Sequence, residues 1–348
     1  MRPHFQEAGL RNAATVERAV WIAALFGLQR SSITLFESAV YKAPDNRRSL
    51  GSALCAVGLR FGMEPLADHP TAEAKEQRLV AWLRAHRSIA IGYSGGVDSA
   101  YLAAVAVEAL GTDRVTAVIG RSESYPESQW QNARDVARVI GVSVVEVDTR
   151  ELEDPQYAAN PSNRCYFCKS ELWSRVIPVA HSLGAAVVAD GTNADDLHGH
   201  RPGAQAARER GVSSPLAELG FTKQEIRERS RARGLPTWEQ PSSPCLSSRI
   251  PYGTPVTVGR LKRVEQAEAA LRALGILGDL RVRHFGERAR VELGRDELAH
   301  WSASPRREQV EEAVRAAGYS EVEIDPRGFR SGALNERAPR PGAALSGD

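Results

Sequence analysis

Apolar positions along the chain change period in a regular order. Leu79, Trp82 and Leu83, spaced i, i+3 and i+4, give residues 71–85 the apolar stripe of an amphipathic helix. The run 88–93 (Ser-Ile-Ala-Ile-Gly-Tyr) is short, β-rich and apolar, and reads as a strand. A glycine turn, Ser94-Gly95-Gly96-Val97-Asp98-Ser99, separates it from the helical run Tyr101 to Leu110. The alternation then repeats as strand 115–119, helix 126–140, strand 142–147, helix 165–183 and strand 185–189. Such alternation predicts an α/β fold with a doubly wound parallel sheet, its ligand lying beyond the carboxyl ends of the strands.

From Thr192 to Thr257 the text is loop-rich, with one clear helix over 222–233 opened by the capping box Thr222-Lys-Gln-Glu225. After Val258 the pattern becomes helix 259–274, strands 280–285 and 289–293, helix 305–317 and strand 321–324. That is a smaller C-terminal α+β domain. The expected organisation is a main domain over 63–256 and a substrate or oligomerisation domain over 257–336. A Pro-, Gly- and Ala-rich tail over 337–348 is expected to be disordered. Residues 1–62 show no strand-helix pattern and end before Met63, the second of two methionines. They read as a non-native or disordered extension without chemistry, in which Cys55 is incidental.

Composition narrows the class. The 348 residues are 42% hydrophobic and 25% charged, which fits a globular protein and excludes collagenous and low-complexity chains. Lys and Arg number 45 against 43 Asp and Glu, so a net charge of +2 supplies no general field for a nucleic-acid backbone. Four cysteines are too sparse for a disulfide scaffold and are read as chemistry in a reducing, cytoplasmic compartment. No apolar run reaches the roughly 18 residues of a membrane span, and Val20 to Leu28 lacks the flanks of a secretory signal.

The glycine turn is the strongest chemical signal. Gly95 and Gly96 let successive backbone amides form a concave anion site, and the following helix adds its positive end. Ser94 and Ser99 add hydroxyls. The chain has no Gly-Lys pair and no G-x-G-x-x-G, so this is neither a Walker loop nor a dinucleotide fingerprint. A cradle of this kind suits a whole pyrophosphate leaving group, with Asp98 holding Mg²⁺. The hexapeptide resembles the signature of the PP-loop ATP pyrophosphatases, which implies ATP cleaved between the α and β phosphates to adenylate a substrate.

A second constellation joins Cys165-x-x-Cys168, flanked by Arg164 and Lys169, to Cys245 in Ser243-Pro-Cys-Leu-Ser-Ser-Arg249. A pair at a helix start has both thiols on one face, with the helix end and the two cations favouring thiolate. Three readings are open: a structural zinc completed by His198 or His200, a redox pair without Cys245, and three cysteines holding a [4Fe-4S] cluster whose open iron carries sulfide. The third is taken forward.

Asp190-Gly-Thr-Asn-Ala-Asp-Asp196, Arg201-Pro-Gly203, Ser214-Pro-Leu216, Gly234-Leu-Pro-Thr-Trp238, Pro244 to Gly253, Arg281-Val-Arg283, Arg330-Ser-Gly332 and Asn335-Glu336 together resemble the LarE family of ATP-dependent sulfur transferases. The resemblance spans roughly Thr71 to Glu336. It implies ATP, Mg²⁺ and a small-molecule substrate, a pyridinium dicarboxylate mononucleotide whose carboxylates are adenylated and converted to thiocarboxylates. In members with one cysteine at the position of Cys245, that residue gives up its own sulfur. Cys165 and Cys168 resemble the subgroup that uses a [4Fe-4S] cluster, with Cys165, Cys168 and Cys245 as ligands. His198-Gly-His200 departs from the acidic and aromatic residues expected there. A homo-oligomer without membrane or nucleic-acid partners is expected.

Independently of the resemblance, Arg281 and Arg283 alternate on a strand and place both guanidinium groups on one side, where they could fork onto a substrate phosphate. The plain alternative is a solvated face pairing with Glu292. Gly191, Thr192 and Asn193 end a predicted strand, where nucleotide contacts fall, and Arg249 joins them as a cofactor contact. Glu268 is a weaker site candidate. The competing functions are a tRNA-thiolating PP-loop enzyme, an ammonia-using synthetase and a non-enzymatic ATP-binding module.

Overall fold

The computed structural model describes residues 70–197, 201–330 and 334. The expectations for residues 1–62 with Cys55, for His198 and His200, for Ser331-Gly332 and Asn335-Glu336, and for the tail lie outside the described residues.

The expected parallel sheet is present. β1 (Ile89–Gly92), β2 (Val115–Arg121), β3 (Ser143–Asp148) and β4 (Val187–Ala189) stand in the order β3-β2-β1-β4, all parallel. Ile89, Ala90 and Ile91 are buried on both faces, as central parallel strands require. α1 (Ala72–His86), α2 (Val97–Leu110) and α3 (Glu127–Ile140) pack with Ile89 and Ile91 on one face. α5 (Arg164–Ser182), which follows the single turn α4 (Pro155–Ala158), packs Trp173, Val176 and Ala180 on Ala90 and Val118 of the other.

The 192–257 region holds more helix than the sequence pattern predicts. Besides α8 (Lys223–Ala232), it contains α6 (Pro202–Glu209), the single turn α7 (Pro215–Glu218) and 3₁₀ turns at Ala194–Leu197 and Leu246–Arg249. These segments are too short to show a helical period, and Pro at the first turns of α6 and α7 presets the backbone angle.

α8 is pinned to α1 by buried charges. Lys75 Nζ reaches Glu225 Oε1 at 2.7 Å near the start of α8, and Glu76 takes Arg229 at 2.8 Å and Arg233 at 2.9 Å toward its end. Glu76 also accepts the Tyr101 hydroxyl at 2.7 Å. Burial alone would raise this carboxyl, but the two arginines and the tyrosine outweigh it and bring it from 4.5 to about 2.

The second sheet also matches the sequence pattern. α9 (Val258–Ala273) leads into β5 (Leu280–Phe285), which pairs antiparallel with β6 (Arg288–Leu293), and β6 pairs parallel with β7 (Glu321–Ile324). α10 (Arg295–Ser302), not foreseen, and α11 (Arg306–Ala316) lie between β6 and β7. The described residues from Pro70 onward form one unit that carries both sheets. Among the described residues no helix is long and apolar enough to cross a membrane.

Candidate active site

The strand order reverses between β1 and β4, so their carboxyl ends open onto the crevice where a doubly wound sheet binds its ligand. The glycine turn follows β1. Gly95 has φ +68°, and a Cβ there would stand 2.4 Å from Ala133 Cα, so both its conformation and its packing on α3 require glycine. Gly96 precedes α2 with no side-chain cap, leaving the first amides of that helix without a side-chain acceptor. The Ser99 hydroxyl donates to the Gly96 carbonyl at 3.2 Å and accepts the Ser94 amide at 3.3 Å, closing the turn. Tyr125 donates its hydroxyl to the Ser94 carbonyl at 3.0 Å.

The segment after β4 lies directly on this turn. A Cβ on Gly191 would come within 2.8 Å of the Ser99 amide nitrogen, so only glycine lets the two segments approach this closely. Asp190 organises its own turn, accepting from the Thr192 amide at 3.0 Å, the Thr192 hydroxyl at 2.9 Å and the Ser214 hydroxyl at 2.8 Å. Asn193, buried, donates its side-chain amide to Asp98 Oδ1 at 3.3 Å. Ser94, Gly95, Gly96, Asp98, Ser99, Gly191, Thr192 and Asn193 therefore meet at one place.

Lys223 joins them unforeseen. Its ammonium pairs with Asp98 Oδ2, and its backbone amide donates to Asp195 Oδ2 at 2.8 Å. In sequence, Thr222 to Glu225 marks only a helix start. A usable signal was there, because a lysine at the first helical position opposes the helix dipole and calls for an anion nearby.

The Cys245 loop is brought to the start of α5. Arg164 is buried and donates to the Ser247 carbonyl at 3.0 Å and to Asn160 Oδ1, while the Tyr157 hydroxyl lies 2.6 Å from Ser247 Oγ. Cys165, Cys168 and Cys245 are all free thiols. The expected bias toward thiolate is corrected here. Burial pushes Cys168 well up, and Glu151 and Cys245 add to it. Desolvation of its sulfur also raises Cys165, although that residue is exposed at the surface. Cys245 reinforces this rise against the pull of Arg164 and Lys169. Each thiol of the C-x-x-C pair thus senses Cys245. Among the described residues no three His, Cys, Asp or Glu side chains converge closely enough to enclose a metal ion.

Arg249, Arg281 and Arg283 are all buried beside this loop. Arg249 is held by Glu268 in a two-point pair, Nε to Oε1 at 2.9 Å and Nη2 to Oε2 at 3.0 Å, and it grips the Cys245 carbonyl at 3.1 Å. Its guanidinium clamps the loop. Arg283 pairs with Glu292 at 2.8 Å and donates to the Ser248 carbonyl at 2.9 Å. The Glu292 pairing considered from sequence is present, but buried rather than solvated. Arg281 makes no ion pair among the described residues. It donates to the carbonyls of Leu280 and Ser242 and lies 5.0 Å over the Phe329 ring. Burial, with the Arg249 charge beside it, lowers Arg281 to about 10, which marks a place that an anion would stabilise.

Comparison with known proteins agrees with this geometry. The NAD synthase family model matches residues 77–175, from α1 through the C-x-x-C segment. A protein of Synechocystis sp. described as uncharacterized is 44% identical over 245 residues, covering 70% of this chain and 91% of its own length. The pyridinium-3,5-bisthiocarboxylic acid mononucleotide synthase of Lactiplantibacillus plantarum is 33% identical over 266 residues, covering 76% of this chain and 95% of its own. The chain belongs to the LarE family. An NH(3)-dependent NAD(+) synthetase of Pyrobaculum aerophilum is 41% identical over 68 residues, 20% of this chain and 26% of its own, so that likeness is local. LarE membership and the NAD synthase match together make this a PP-loop, ATP-using enzyme.

Proposed function

We propose that this enzyme adenylates the carboxylates of a pyridinium-3,5-dicarboxylate mononucleotide and converts them to thiocarboxylates, in a cytoplasmic setting, as one step in making a nickel-pincer nucleotide. The relative from L. plantarum, whose name describes this bisthiocarboxylate product, supports the substrate class. The observation that carries the reading is the hydrogen bond from Asn193 to Asp98, which, with the close approach of Gly191 to the start of α2, brings the loops after β1 and β4 into one cradle.

In that cradle the Ser94 hydroxyl, the Ser99 hydroxyl turned from the Gly96 carbonyl, and the amides of Gly95 and Gly96 would hold the β and γ phosphates of ATP, and Asp98 would hold Mg²⁺. A substrate carboxylate oxygen attacks the α phosphorus, the bond to the bridging oxygen breaks, and pyrophosphate leaves. Lys223, pairing with Asp98 before ATP binds, is placed to follow the leaving charge. Arg281 receives the substrate phosphate, with Arg283 beside it on the same face of β5. A sulfur nucleophile from Cys245 then attacks the acyl carbon, and AMP departs with one carboxylate oxygen.

Cys165, Cys168 and Cys245 would hold a [4Fe-4S] cluster, which supplies sulfide at its open iron. Three free cysteine thiols match that donor set in kind, with no fourth protein ligand needed. A second route needs no cluster: Cys245 attacks the acyl carbon itself, and the Cβ–S bond of the resulting thioester breaks with loss of the Cys245 Cα proton, leaving thiocarboxylate and dehydroalanine. A tRNA substrate finds little support, because the net charge of +2 supplies no general basic surface. The test is pyrophosphate release from ATP with the pyridinium dicarboxylate nucleotide, with tRNA, and with ammonia plus a carboxylic acid. Release with the first alone is expected. Release with either of the others and not the first would overturn the assignment.

A further inference from the structure

Glu151 is a buried carboxylate outside the phosphate cradle, and it bears on the thiols only by adding to the rise of Cys168. It is 2% exposed and opens the 3₁₀ turn Glu151–Glu153 after β3. Its oxygens take three hydroxyl hydrogen bonds: Ser122 at 2.6 Å and Ser124 at 2.7 Å on Oε1, and Thr149 at 2.9 Å on Oε2. These donors are neutral. A buried charge solvated by oriented hydroxyls rather than by a cation fixes those hydroxyls firmly, since each bond to a charged acceptor is stronger than one to a neutral group.

What those hydroxyls belong to matters. Ser122 and Ser124 lie in the loop between β2 and α3, and the Ser124 carbonyl accepts the Leu246 amide at 2.9 Å, one residue from Cys245. The crossover that carries Glu151 also carries Tyr157, whose hydroxyl meets Ser247, the next residue along the same side of the Cys245 loop. We infer that Glu151 is a positioning residue for sulfur transfer: by fixing Ser124 it fixes the Cys245 loop against the start of α5, while the phosphate cradle rests on its own hydrogen bonds and on the neighbouring Tyr125 hydroxyl. This rests on the reading of Cys245 as the residue through which sulfur passes.

The experiment uses the full chain, prepared anaerobically, as wild type, Glu151→Ala and Glu151→Gln. Three quantities are read: pyrophosphate release, thiocarboxylate formation, and the rate at which iodoacetamide labels Cys245 without substrate. In Glu151→Ala, thiocarboxylate formation should fall about 100-fold, the scale of a displaced reacting group, with the single-turnover burst of pyrophosphate within about threefold of wild type. Labelling of Cys245 should rise roughly tenfold as its loop opens locally. Glu151→Gln, whose amide oxygen still accepts hydroxyls, should fall between. A merely structural role would lower both activities together. That result, or unchanged labelling, would overturn the inference. If Glu151→Ala does not fold, Ser124→Ala with Glu151→Gln carries the same comparison. Wild type that makes no thiocarboxylate would sink the functional reading, and the labelling arm would still decide the positioning.

Discussion

Glu76→Gln perturbs the clamp that holds α8, and with it Lys223, against the nucleotide crevice. The Glu76 carboxylate is 8% exposed, so water screens it little. Its drop from 4.5 to about 2, at about 1.4 kcal/mol per pH unit, gives about 3 kcal/mol of stability at neutral pH. Breaking a buried pair by removing one partner falls in the same range, about 3–5 kcal/mol. A carboxyl depressed in the folded state stabilises fully above its unfolded value and loses that contribution as pH falls toward the folded one. The contribution should therefore shrink to about 1.4 kcal/mol at about pH 3 and nearly vanish below about pH 2. Urea unfolding of wild type and variant at about pH 7 and about pH 3 reads this directly. The difference between the two proteins cancels the other carboxylates that titrate in this window. A variant within about 0.5 kcal/mol of wild type at pH 7, below the cost of any broken buried pair, would refute the reasoning. So would a difference that does not shrink with acid.

Other substitutions test the crevice and the second sheet. Gly95→Ala forces a Cβ into the Ala133 backbone at φ +68° and should abolish pyrophosphate release while a circular dichroism spectrum stays native. Lys223→Met keeps the capping box of α8 and should lower adenylation about 100-fold, a typical loss for one preorganised donor, measured as AMP formed per minute. His284 is buried against Tyr319, and burial, with Arg260 and Arg263 nearby, lowers it. The neutral ring therefore stabilises above its unfolded value of about 6.5, and that stability is lost as pH falls below it. His284→Gln should flatten the fall of the urea midpoint between about pH 6.5 and about pH 5.

Much of this architecture is legible in local pattern. The limits of β5 and β7 follow from period-two alternation, and Thr222 to Glu225 forms both halves of its capping box. The glycine turn needs no partner to be recognised, since its shape is local. The functional meaning of buried charge is another matter. Arg281 and Arg283 share a face as alternation predicts, yet only the packing shows that Glu292 holds one and that Arg281 is left to carbonyls. Lys223 and Glu151 escaped notice because their partners lie 125 and 27 to 29 residues away for the bonds that matter. The thiols failed the local rule for the same reason: a helix start and two cations favour thiolate, and desolvation by distant segments outweighs them.

The most direct measurement is the mass of the nucleotide product after anaerobic incubation of wild type and Cys245→Ser with ATP, Mg²⁺ and the pyridinium dicarboxylate mononucleotide, with pyrophosphate followed in parallel. Wild type should replace carboxylate oxygen by sulfur, and Cys245→Ser should release pyrophosphate and stop at the acyl adenylate without any sulfur entering the product, because the cradle and the cysteine stand on different loops. Sulfur in the product of Cys245→Ser, or ATP consumed by wild type with an unchanged nucleotide mass, would contradict the mechanism.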